Sequence, residues 1–162
     1  MSTDRTDIPE GFTLSLALVD AVPVALFCAS AAAFGTRVGS PLFVAGSVVA
    51  FLGGAGKVCW KLLIALVHRN VPILSRQMRV VMPMGFALML AGAAMRWGEA
   101  AAALARLVQM PSLALVLAWL ACMCAMGHFA GHRNQASARD NWTEQLTNAA
   151  GQACLLAALL LA

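Results

Sequence analysis

An all-α integral membrane protein, a bundle of about five transmembrane helices with short loops in a single domain, is the fold class this sequence predicts. Three observations carry it. Of the 162 residues, 61% are hydrophobic and only 11% are charged, against about 25% charged in an ordinary soluble domain; the mean hydropathy is +0.80. The apolar runs are continuous and rich in Ala, Leu and Gly rather than alternating, which argues against a β-barrel. Lys and Arg gather at the ends of these runs, where membrane topology places them, so the net charge of +4 is not a nucleic-acid signal.

The first ten residues, MSTDRTDIPE, are polar and read as a short surface tail. The first span covers about 11–34 and contains Asp20 and Pro23, the proline predicting a kink. Ala29-Ser30-Ala31 resembles a signal-peptidase site, but the acidic start and the Asp20–Pro23 interruption favour a retained helix. After a Gly-flanked turn with Arg37, the second span covers about 41–67. Its Gly46, Gly53 and Gly56 suit close packing, and Lys57 and Lys61 share one face. The third span covers about 75–95 and opens with Arg76 and Arg79. Residues Gly98 to Met110 read either as a short interfacial helix or as a looser extension of the third span. The fourth span covers about 111–130, with His128 at its end and His132 four residues on. The fifth covers about 142–162.

That last span is the unusual one. Its purely apolar part starts only at Ala153, about 15 Å short of a membrane-spanning length. Crossing a bilayer therefore draws Glu144, Asn148 and Gln152 inward. These lie at i, i+4 and i+8 on one helical face, with Asn141 on the same side. An ionisable residue inside a membrane marks a functional interior by default.

Orientation follows from the basic residues. With the N-terminus cytoplasmic, Arg5, Arg69, Arg76, Arg79, Arg133 and Arg139 lie inside, and Arg37, Arg96 and Arg106 outside. The positive-inside rule thus predicts a protein of the cytoplasmic (in bacteria, inner) membrane, N-terminus in and C-terminus out. Asp20, Lys57, Glu144 and His128 then all fall in the cytoplasmic half, and the outer half is almost wholly apolar. This asymmetry predicts a polar pocket open to the cytoplasm.

Asp20 is expected to pair with Lys57, because a lone charge at that depth costs at least about 2.5 kcal/mol. The expected binding residues are Asp20, Lys57, Lys61, Arg76, Arg79, Asn141, Glu144, Asn148 and Gln152. Basic excess at the inner leaflet would attract an anionic group. Glu144 and His128 are the candidates for general acid or base, should the chain be an enzyme. His128 and His132 lack the Glu of an HExxH motif, so no metal is expected, and no cofactor is. The five cysteines lie in apolar runs without a CxxC pair and read as packing residues.

The leading functional expectation is binding or transport of a small polar or anionic amphiphile, or of protons. The alternatives are an enzyme acting on a lipid or isoprenoid at the inner leaflet, and an accessory subunit of a larger membrane complex. Membrane lipids and a small ligand are the expected partners, with no nucleic acid. A chain this small would enclose a full pathway more readily as a homo-oligomer, and Gly127 and Gly131 offer a GxxxG pair for helix packing.

Overall fold

The computed structural model describes residues 13–132 and 138–162. The expected surface tail, with Arg5, and Arg133 lie outside the described residues, as does the side chain of His132. The described residues form helices and no strand: α1 (Leu14–Val38), α2 (Pro41–Val67), α3 (Pro72–Arg76), α4 (Met78–Met95), α5 (Trp97–Leu107), α6 (Ser112–His132) and α7 (Ala138–Leu161).

Local chemistry sets several of these boundaries. Thr13 caps α1 through its side chain, and α1 stops where Gly39 turns left-handed at φ 63°. Ser40 caps α2, with Pro41 in the first turn, where a missing N–H is harmless. At the other end, His68 takes the left-handed position and the His68 and Arg69 amides return to Ile64 and Leu63. The third predicted span is split. A short α3 ends at Arg76, and α4 begins beyond Gln77. Between the two readings of Gly98–Met110, the structure has a separate helix. The chain breaks at Arg96 (φ −120°, ψ 46°), and α5 buries Ala100, Ala103 and Leu107 on one side.

Four stretches among the described residues are long and apolar enough to cross a membrane: Leu14–Val38, Pro41–Val67, Pro72–Met95 and Ser112–Phe129. The fifth expected span differs. The helix is there, and long enough, but Arg139, Asp140, Asn141, Glu144, Gln145, Asn148 and Gln152 make its first half too polar to qualify.

The long helices pack as a row in the order α4, α2, α1, α7, α6, and α5 touches α1, α4 and α6. Helices α1 and α2 run antiparallel: Asp20 meets Lys61 near one end, and Gly35 faces Phe43 near the other. Helix α7 runs parallel to α1, meeting α2 at Asn141 and the end of α1 at Leu159, whose carbonyl accepts from Arg37 Nη2. A small apolar core of Leu107, Ala158 and Leu159 closes the Arg37 end, with Phe34, Val116 and Leu155 packed against it.

The α2–α4 seam depends on glycine. A Cβ on Gly85 would stand 2.5 Å from the Ala50 nitrogen and 2.8 Å from its Cα. One on Gly46 would stand 2.6 Å from the Met89 nitrogen. With Gly53 and Gly92 they recur every seven residues on each helix, and each lies against the opposite helix across the seam. Gly127, by contrast, meets nothing within 4 Å among the described residues. Gly85→Val should therefore cost about 2 kcal/mol or more, because backbone rather than a side chain must yield. Gly127→Ala should change stability by less than about 1 kcal/mol. Reversible unfolding in detergent measures both, and equal effects would remove the seam from its central position.

Candidate functional site

Where α1, α2 and α7 converge, five polar side chains are buried together or side by side: Asp20, Lys61, Asn141, Glu144 and Gln145. Close packing one turn away brings them there. A Cβ on Gly54 would meet Val24 at 3.1 Å, so α1 and α2 approach closely at that level. Asp20 lies one turn before Val24, and Lys61 two turns after Gly54, on the same faces. Antiparallel packing sets Asp20 level with Val58, and the long Lys61 side chain, just beyond, leans back toward the start of α2 to reach it. Each sits six residues from its helix end, about 9 Å in at 1.5 Å per residue.

Lys61 is the largest fully buried side chain among the described residues, with 1% exposure. Its Nζ lies 3.2 Å from Asp20 Oδ1 and donates to Asn141 Oδ1 at 3.3 Å. Glu144, one turn along α7 from Asn141, lies within Coulombic reach of the same ammonium, as does Lys57. The buried charges are therefore one ammonium and two carboxylates. The pairing is incomplete. Asp20 Oδ2 and Glu144 Oε1 are buried and have no hydrogen-bond partner among the described residues. A carboxylate oxygen out of water and without a donor carries the full desolvation penalty, about 1–3 kcal/mol or more.

The expected Asp20–Lys57 pair is thus corrected: Asp20 pairs with Lys61. Depth counted along each helix could not separate two lysines one turn apart on the same face. Gly54 faces α1, and Lys61, seven residues on, stays within about 20° of that face, whereas Lys57, three residues on, is turned about 60° from it. Lys57 is half-buried.

The other candidate residues fall in several places. Asn141 and Glu144 join the cluster. Asn148 and Gln152 are half-buried further along α7, and Gln152 Oε1 also has no partner among the described residues. Arg76 and Arg79 are exposed, while their neighbour Gln77 points inward and donates to the Gly53 carbonyl at 3.2 Å. His128 is exposed, with its ring against Phe129. No three His, Cys, Asp or Glu side chains among the described residues are grouped to hold a metal.

Two polar residues escaped the sequence reading. Gln145 is 3% exposed; its signal was the i+4 spacing from Asn141. Arg37, taken there as a turn residue, donates to Leu159, a residue 122 positions away, at the C-terminal carbonyls of α7. Cations are favoured there by the helix dipole, but no local pattern announces so distant a partner.

No protein family, no curated protein and no solved structure matches the chain. The site is therefore read from its own residues.

Breaking a buried ion pair from one side costs about 3–5 kcal/mol, whereas replacing both partners can be nearly neutral. Lys61→Met should accordingly destabilise the protein by about 3 kcal/mol, and adding Asp20→Asn should recover much of that loss. Lys57→Met should cost less than about 1 kcal/mol. A thermodynamic cycle over the four proteins checks this, and a larger loss at Lys57 than at Lys61 would reverse the assignment.

Proposed function

We propose that this chain is a small membrane transport protein that takes up and releases a proton, or a small cationic group, at Asp20, Lys61 and Glu144. One observation carries the reading: two buried carboxylate oxygens, Asp20 Oδ2 and Glu144 Oε1, lack a donor beside an ammonium that already bonds Asp20 and Asn141. What the cluster needs is a donor of hydrogen bonds. An anion would meet two carboxylates. The proton side of the expectation is thus better supported than the anionic amphiphile.

In this reading α7 is the fifth span, parallel to α1 and stabilised by the polar contacts its first half makes. The N-terminus is cytoplasmic, which puts the cluster about 9 Å inside the cytoplasmic end of the bundle. Exposed Arg76 and Arg79 then serve lipid headgroups. Exchange works by sharing one ammonium between two carboxylates. A proton on Glu144 leaves Lys61 with Asp20. A proton on Asp20 hands the ammonium to Glu144 and alters the α1–α7 contact. Two arrangements of one charge offer the two-state element that coupling requires. The lipid-enzyme reading has less support, because its anion-holding arginines and His128 lie outside the cluster.

Infrared difference spectra between acidic and neutral buffer should show a carboxylic-acid carbonyl band that weakens in both Asp20→Asn and Glu144→Gln. In vesicles with a trapped pH dye, potential-driven proton entry should exceed that of protein-free vesicles and fall at least tenfold in Glu144→Gln, while Arg79→Gln stays at the wild-type rate. A band insensitive to both substitutions would overturn the proton site. Wild-type flux equal to that of empty vesicles would overturn transport of protons.

A further inference from the structure

Helix α4 buries Gly85 and Gly92 against α2 and leaves its other side bare. On that side Arg76, Arg79, Pro83, Phe86 and Leu90 follow one another at alternating steps of three and four residues, the spacing of one helical face. Gln77, between α3 and α4, keeps helical angles (φ −58°, ψ −30°), so the face runs on across the junction. All five residues are exposed. Phe86 borders α1, where its ring stands 5.7 Å from that of Phe27.

The two arginines meet nothing of opposite charge. Neither takes part in an ion pair among the described residues. From Ala21 to Gly98 the sequence has no Asp or Glu, so α2, α3 and α4 carry none, and Asp20 of α1 is held by Lys61. At the other end of α4, by contrast, Arg96 has Glu99 at 2.7 Å. Arg76 and Arg79 sit four and seven residues into the Pro72–Met95 span, about 6 and 10 Å. Helical side chains lean toward the N-terminus of their helix. Both guanidinium groups therefore reach back toward the membrane surface, where lipid phosphates lie, while Pro83, Phe86 and Leu90 continue into the apolar layer.

We propose that this face holds one anionic phospholipid, its phosphate clamped by Arg76 and Arg79 and one acyl chain lying along Pro83, Phe86 and Leu90. Guanidinium groups one turn apart suit a phosphate, which each can meet with paired hydrogen bonds. The headgroup must be negative overall. A zwitterionic one would bring an ammonium into a corner where α3 and α4 offer it no carboxylate. A second copy of the chain fits the face less well, because a two-fold axis along the membrane normal would set arginine against arginine at one depth. This goes beyond general contact with headgroups: one lipid stays bound. It needs Pro72–Met95 to cross the membrane and does not need the proton site at Lys61.

The full chain in neutral detergent, titrated with dioleoyl phosphatidylglycerol or dioleoyl phosphatidylcholine, supplies the test, with native mass spectrometry counting lipids and chains in each particle. One phosphatidylglycerol should bind about tenfold more tightly than phosphatidylcholine, or better. Arg76→Gln and Arg79→Gln should each weaken it about fivefold, the worth of one basic residue at a membrane surface, and leave phosphatidylcholine unchanged. Arg106→Gln, which removes an exposed arginine of α5, should change nothing, and inorganic phosphate in large excess should not displace the lipid. Glu144→Gln should keep the lipid while losing proton entry, so the two proposals fail separately. Should one arginine variant fail to fold, the other carries the comparison. Equal affinity for the two lipids, displacement by inorganic phosphate, a loss in Arg106→Gln as large as in Arg79→Gln, or a dimer that Arg79→Gln takes apart would each overturn the proposal.

Discussion

A fully buried ammonium is the constraint on which the rest of this structure depends. Lys61 cannot be left alone in an apolar interior, so α1 must present Asp20 and α7 must present an amide at the same level. That requirement fixes how α1 and α2 register and forces the most polar helix into contact with both. The glycines act upstream of it. Gly54 lets α1 approach α2, and the Gly46–Gly85 seam holds α2 against α4. Small residues decide how near the backbones come, and the charges decide which residues face each other.

Much of this was legible in the sequence, and the limits have physical causes. The second helix was readable end to end, because Ser40-Pro41 opens it and the polar His68-Arg69-Asn70-Pro72 connector follows it. The α1, α4 and α6 segments were readable as apolar runs. The break at Gln77 was not, since neither α3 nor α4 carries a side-chain cap there. The polar half of the site was legible as a set: Asp20, a lysine of α2, Asn141 and Glu144. Its pairing was not, because Lys57 and Lys61 differ by one turn and only the face that Gly54 turns to α1 decides between them. Arg76 and Arg79 looked like anion holders from charge alone, and the fold leaves both exposed.

The parallel course of α1 and α7 has a consequence for how the chain comes together. The first and last helices meet at both ends, through Asn141 near Asp20 and Leu159 at Arg37, and the latter contact closes a loop of 122 residues. The α1–α2 hairpin can form early, since its partners adjoin in sequence. Closing so long a loop is entropically slow, so α7 docks last. Until it does, Lys61 holds Asp20 without the Asn141 amide and away from Glu144. The candidate site is therefore completed in the final step of assembly, and an intermediate halted before it would lack the part that α7 supplies.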